Sequence, residues 1–268
     1  MSLKKYKGQD RIRGRPIRLN KQRLKVRKGR NHAELIFWGD VHYGYPTCDV
    51  KKARAMLDWA LKHKAYVLGM GDYLEAGLKD SIGDSMYRQK LNPEKQMEDI
   101  IEWLRPLAER NLIIGLHEGN HEKRITKSTS INITKIMAKM LGVPYLGYAC
   151  WSLLSVGKVR YSLYSEHGTS GSRFKHTKLK AAIDQCAWIS SDILAMGHVH
   201  SKSVELVEKH YFDAKLTQVR TKKQYVVLTG SYLQWDDSYA QEKNYPPTGL
   251  GSPKAKLIAT EKDVHFRV

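Results

Sequence analysis

From Ala33 onward, short apolar runs and amphipathic stretches take turns, and several apolar runs stop at a small polar cluster. Glu34-Leu35-Ile36-Phe37-Trp38 predicts a buried strand that meets a loop at Gly39-Asp40. Over Asp49 to Lys64, Val50, Ala53, Met56, Leu57, Ala60 and Leu61 recur at helical spacing. Tyr66 to Met70 predicts a second strand, ending in Gly71-Asp72. Pro93 to Arg110 predicts a second helix: Pro93 suits a first turn, and Met97, Ile100, Ile101 and Leu104 form its stripe. Leu112 to Leu116 predicts a third strand, running into Gly119-Asn120-His121-Glu122.

Strand, helix, strand, helix, strand is the rhythm of an α/β layer architecture. The second half is richer in strands. Trp151 to Val156 and Val159 to Tyr164 predict a hairpin about Gly157-Lys158, and Phe174 to Trp188 a helix. Asp192 to Met196 predicts a strand that ends in Gly197-His198-Val199-His200. Ser203 to Glu208, Gln224 to Leu228 and Lys256 to Ala259 are β-like, and Gln234 to Pro253 reads as a long loop. Residues 1–32 have few apolar positions and no clean period, so they are expected to form an arm ahead of one domain over 33–268.

The chain has 268 residues, 41% of them hydrophobic, enough for one domain with a substantial core. Charge changes the picture of the arm. Of a net +19, residues 1–30 carry 13 Lys and Arg against one acid, Asp10. Such a block seeks polyanions, nucleic acid first and anionic membrane second. No apolar run is long enough for a transmembrane helix, and the N-terminus lacks the apolar stretch of a secretory signal. Cys48, Cys150 and Cys186 are far apart, so no thiolate zinc site or disulfide framework is expected, and a reducing cytoplasm fits. The sequence sets no oligomeric state.

The polar clusters carry the chemistry. Open α/β sheets bind ligands beyond the carboxyl ends of their strands. Five such ends are decorated: Asp40-Val41-His42, Gly71-Asp72, Asn120-His121-Glu122, Glu166-His167-Gly168 and His198-Val199-His200. Imidazole and carboxylate together favour manganese, iron or zinc. Gly39, Gly71, Gly119 and Gly197 precede the ligands, where a tight turn must release the chain from its strand.

The ordered blocks Gly-Asp-x-His, Gly-Asp, Gly-Asn-His-Glu, His-Gly and Gly-His-x-His resemble the calcineurin-like metallophosphoesterase superfamily over Ile36 to His200. The resemblance implies a four-layer α/β/β/α sandwich of two mixed sheets. It also implies two divalent metal ions, manganese first, with iron or zinc as alternatives. Asp40, His42 and His200 would hold one ion; Asn120, His167 and His198 would hold the other; Asp72 would bridge. His121 would face the leaving oxygen as a non-ligand acid, with Glu122 orienting it or a ligand histidine. Two cations ~3.5–4 Å apart can clamp a phosphoryl group and lower the pKa of a bridging water.

Protein phosphatases of that superfamily continue the second block as Gly-Asp-x-x-Asp-Arg-Gly. Here it reads Gly71-Asp72-Tyr73-Leu74-Glu75-Ala76-Gly77, which counts against that branch. With the basic arm, the expectation is a phosphodiesterase of nuclease type, similar to the nuclease domains of DNA-repair exonucleases. The rival readings are a small-molecule phosphoesterase and a nucleic-acid-binding protein with a vestigial metal site.

Arg13-Gly14-Arg15-Pro16 is similar to the core of an AT-hook, in which arginines enter a narrow minor groove. The plain reading is a generic basic tail. Lys123, Arg124 and Arg173 are phosphate contacts or solvated charges. Tyr43, Tyr45 and Tyr73 stack on a base or pack. His32, His63, His117, His176, His210 and His265 have no place in the pattern and read as surface or packing residues.

Overall fold

Apolar runs without alternation make strands that are covered on both faces. The computed structural model describes residues 11–268 except 13, 14, 17, 80, 82–84, 170, 173 and 243. Two short strands, β1 (Arg11–Ile12) and β2 (Arg15–Pro16), pair antiparallel. Then come β3 (Leu19–Leu24), β4 (His32–Trp38), α1 (Val50–His63), β5 (Tyr66–Gly69), α2 (Ser85–Arg88), α3 (Pro93–Glu109) and β6 (Ile113–His117). α4 (Asn120–Thr129), α5 (Ile133–Leu141) and β7 (Tyr145–Gly147) follow. The second half comprises β8 (Ala149–Val156), β9 (Val159–Glu166), α6 (Lys175–Asp184), β10 (Ile193–Met196), β11 (Lys202–Asp213), β12 (Gln218–Thr229), α7 (Tyr239–Glu242), β13 (Lys254–Ile258) and β14 (Val264–Arg267).

The first sheet has the order β14-β13-β4-β5-β6-β7 and the second the order β11-β12-β10-β9-β8-β3. In the first, β4, β5, β6 and β7 are mutually parallel, with β13 antiparallel to β4. In the second, β10 is parallel to β9 and β12, whereas β8 and β9 form an antiparallel hairpin. β10 shows how the layers stack. Ile193 and Ala195 join a core shared with Phe37 and Val67 of the first sheet. Leu194 and Met196 point the other way and pack with Ala182 of α6. Ala53, Leu57, Ile100, Leu104 and Met137 bury the apolar stripes of α1, α3 and α5 with the first sheet. The fold is thus the expected α/β sandwich, two mixed sheets with helices outside.

The helices begin where their sequences dictate. Asp49, Asn92 and Asn132 each accept the backbone N–H three residues on, at 2.7–2.9 Å. α6 is shorter than predicted and passes into a 3-10 turn over Gln185–Ala187. α4 and α5 were not predicted. Among the described residues no helix is long and apolar enough to cross a membrane.

Part of the segment ahead of residue 33 is ordered against the domain. Leu19–Leu24 is an edge strand of the second sheet, parallel to β8 from Leu19 opposite Trp151 to Leu24 opposite Val156. Its inward positions are Asn20, Gln22 and Leu24, and the two amides donate to the Ile114 carbonyl. Two polar inward residues of three erase the hydrophobic period. Residues 1–10, Arg13 and Gly14 lie outside the described residues, as does Arg173. Of the Arg13-to-Pro16 motif only the Arg15–Pro16 backbone is described.

Candidate metal centre

All five decorated ends meet at one edge of the sandwich. β4, β5 and β6 deliver Asp40 with His42, Asp72 and Asn120; β9 and β10 deliver His167 and then His198 with His200. Asp40, His42 and His200 form one group of potential ligand atoms within 4.8 Å of one another, and Asp72, His167 and His198 form another. Within the first, His42 Nε2 lies 2.9 Å from His200 Nε2, which lies 3.4 Å from Asp40 Oδ1. Within the second, His167 Nε2 lies 2.9 Å from Asn120 Oδ1 and 3.3 Å from Asp72 Oδ2. Asp72 Oδ2 is also 3.9 Å from His42 Nε2, so this one oxygen faces both groups.

Neighbouring atoms fix how the donors point. His42 Nδ1 bonds the Glu75 carboxylate at 3.1 Å, and His167 Nδ1 donates to the Met70 carbonyl at 2.8 Å. Each bond holds Nδ1 outward and turns Nε2 toward the site, so that a metal-bound ring would carry its proton on Nδ1 and offer its lone pair at Nε2. Asp72 Oδ1 accepts the His121 N–H at 2.9 Å, and the Asp40 carboxylate accepts the His198 N–H at 3.0–3.1 Å.

Glu122 does not orient an imidazole, contrary to expectation. Its carboxylate accepts three backbone N–H groups, from Gly119 and Asp72 at 3.0 Å and from Leu74 at 2.9 Å. It therefore staples the loop after β5 to the start of α4. Burial, with Asp72 nearby, pushes its pKa up to about 7. The imidazole orienter is Glu75, which the motif reading passed over. Beyond His42, its carboxylate lies 3.5 Å from His121 Nδ1 and 3.8 Å from Arg124. The available signal was an acid three residues beyond Asp72, at the position where the compared block also carries one.

The backbone at the site is strained. Asp40, His42, Asp72, His198 and His200 have φ of 49°, 52°, 49°, 66° and 50°, all left-handed. A side chain with a Cβ in that region costs roughly 1 kcal/mol or more. The expectation had placed the unusual backbone on the preceding glycines. Only Gly71 of those four has a positive φ, at 91°. Gly119 is small for another reason: a Cβ there would sit 2.1 Å from the backbone nitrogen of Asp72.

The residues fit divalent cations. Four imidazoles, two carboxylates and one amide oxygen, with no thiolate, form a donor set for manganese, iron or zinc. His198 Nδ1 is buried without a hydrogen-bond partner, an atom suited to ligation. The electrostatics couple Asp72 to the imidazoles around it. Burial opposes ionisation of Asp72, yet His167 and His121 hold its pKa well below the usual carboxylate range. Burial likewise opposes protonation of His167, but Asp72 raises its pKa to about 10.

His121 lies beside the ligands, its ring centroid 4.4 Å from that of His42. Its Nδ1 donates to the Glu75 carbonyl at 2.7 Å, and its Nε2 accepts from Arg124 Nη2 at 3.1 Å. Burial pushes its pKa down to about 4. Arg124 thus stands at the site, whereas Lys123 is exposed, 5.6 Å from the Tyr148 ring centroid. Tyr73 is core, stacked on Trp38, and donates to the His117 carbonyl; Tyr43 bonds Asp99 of α3; Tyr45 is buried beneath Arg88. His117 is a packing residue, bonded to the Gly147 carbonyl and Ser165 Oγ.

A cleft of about 190 Å³ opens beside His198 and His200. Its far wall is the segment between β12 and β13, including Trp235 and Tyr245.

No protein-family model matches the chain, and no curated protein matches it. Solved structures that it matches include a conserved uncharacterized protein, a predicted phosphoesterase, from Streptococcus pneumoniae, at 14% identity and a TM-score of 0.36, covering 88% of each chain. A single mutant of Vps29 from Entamoeba histolytica matches at 14% identity and 0.36, covering 87% of this chain and 97% of that one. A metallophosphoesterase from Sphaerobacter thermophilus matches at 13% and 0.36, covering 87% of each. A likeness at this distance carries nothing about activity, for which the side chains themselves are decisive.

Proposed function

We propose that this chain is a two-metal phosphoester hydrolase of the calcineurin-like metallophosphoesterase kind, acting as a phosphodiesterase on nucleic acid. One observation carries the reaction: candidate ligand residues from five strand ends converge on two groups, with Asp72 Oδ2 3.3 Å from His167 Nε2 of its own group and 3.9 Å from His42 Nε2 of the other. Asp40, His42 and His200 would hold one ion; Asn120, His167 and His198 the other; Asp72 would bridge. When bound, two such cations supply charge neutralisation at phosphoryl oxygens and a lowered pKa for water.

The protein's own groups do the rest. Glu75 and the Met70 carbonyl hold His42 and His167 in the ligating tautomer. The His121 N–H pins one oxygen of Asp72 and leaves the other to the ions. A neutral His121 with its proton on Nδ1 accepts at Nε2, so it donates to a leaving oxygen only after taking up a proton. Arg124 is the standing donor at that corner, with a fixed charge for an oxyanion. The nucleic-acid substrate is supported by the 13 bases in residues 1–30.

The test uses purified protein, stripped of metal and given manganese, on single- and double-stranded DNA, RNA and an aryl phosphodiester. Cleavage of at least one nucleic acid, lost in Asp72→Asn, is expected. Hydrolysis of the aryl diester alone would reject the nucleic-acid substrate; no hydrolysis at all would reject the enzyme.

A further inference from the structure

The cleft beside the ligands is built by contacts to the ligand loops themselves. The Tyr232 N–H donates to the Asp40 carbonyl at 3.0 Å, and Thr248 Oγ1 donates to the His200 carbonyl at 2.8 Å. These bonds tie the segment following β12 to the metal edge at two points. Within it, Trp235 Nε1 donates to the Tyr245 carbonyl at 2.6 Å, which fixes the indole. Lys178 of α6 is buried; its Nζ donates to the Val199 carbonyl at 2.8 Å and lies 5.2 Å from the Tyr245 ring centroid. Trp235, Tyr245, Leu233 and Lys178 therefore line one pocket whose inner rim is His198 and His200.

We propose that this pocket receives the nucleobase next to the scissile phosphate. The inference rests on the phosphodiesterase reading. Its volume of about 190 Å³ is below the ~300–1,000 Å³ of sites that enclose a whole small molecule, so one ring system fits while the phosphate remains over the ligands. Aromatic faces accept any base by stacking. A hydrocarbon ring would offer the Lys178 ammonium no acceptor beyond the Val199 carbonyl it already has. A base with an exocyclic oxygen gives that ammonium an acceptor, so uracil, thymine, cytosine and guanine are favoured over adenine, which has none.

Two readouts test this. Without added metal, calorimetry compares uridine monophosphate, adenosine monophosphate and ribose phosphate. Uridine monophosphate binds about tenfold more tightly than ribose phosphate, and Trp235→Ala removes the difference. Lys178→Met evens out the uridine and adenosine nucleotides, a second handle should the tryptophan variant not fold. With manganese, Trp235→Ala lowers kcat/KM about tenfold for a thymidine nitrophenyl phosphodiester but leaves a methyl nitrophenyl phosphodiester within about twofold. Equal binding of nucleotide and ribose phosphate, or equal loss on both diesters, overturns the proposal. Base-dependent binding without hydrolysis of either diester upholds the pocket and rejects the phosphodiesterase reading.

Discussion

Glu75 shows how one buried carboxylate disciplines a site from behind. It holds His42 at Nδ1, and its own carbonyl holds His121. Glu75→Gln keeps the shape but gives His42 Nδ1 a weaker, uncharged partner. Metal affinity, measured by calorimetry, should fall roughly 10–100-fold with the fold intact; unchanged affinity would remove Glu75 from its role. Backbone strain gives a second test. At φ 50°, His200 favours a residue without a Cβ. His200→Gly should therefore be more stable to urea than His200→Ala by ~1 kcal/mol, reversing the usual order of those residues. His117 supplies the pH dependence. Burial lowers its pKa from 6.5 to about 4. The unfolded chain binds that proton first, so the stability it contributes is complete above 6.5, declines as pH falls, and levels off below about 4. Between about pH 7.5 and about pH 5 it should account for about 2 kcal/mol, absent in His117→Gln. The seven expected ligands were legible because each follows an apolar run. Glu75 was not, because its role comes from packing onto His42 and not from any spacing, and Arg124 stood out only as a base after Glu122, its contact with His121 coming from packing.

At the scale of elements, strands with both faces covered announced themselves, and so did the helices with long stripes. α4 begins at the expected ligand Asn120 and has only three buried residues, His121, Glu122 and Ile125, so its start read as a site and not as a helix. β3 escaped notice because Asn20 and Gln22 point inward. Its one buried apolar side chain is Leu24, at 2% exposure, while Leu19 is 65% exposed. Leu24→Ala should cost about 2–4 kcal/mol and Leu19→Ala close to nothing, read from urea midpoints. Equal effects would mean that β3 contributes little to the sheet. The β11–β12 ladder runs from Lys202 opposite Thr229 to Asp213 opposite Gln218. The sequence showed only the apolar positions of its inner part, because the outer part is largely exposed and polar.

For the whole molecule, charge and fold are separate layers of information. The sandwich and its candidate metal edge follow from apolar runs and turns, whereas the bases of residues 1–30 fall partly ahead of the sandwich and partly on β3 and the residues just after it. Deleting residues 1–17 should weaken polyanion binding and flatten its dependence on salt concentration, measured by fluorescence anisotropy. An unchanged salt slope would free the segment from that role.

β3 gives that segment an address. Leu19 pairs with Trp151 at the start of β8, and the Trp151 N–H donates to the Arg18 carbonyl at 3.0 Å. In the same sheet, Ala149 pairs with Glu166, the residue before the candidate ligand His167. β3 therefore begins on the side of the sheet that carries the candidate metal centre. Under the proposed nuclease activity, a strand end released by cleavage would meet those charges at high local concentration before it could diffuse away. Full-length protein should then make many cuts per encounter, and the shortened protein one.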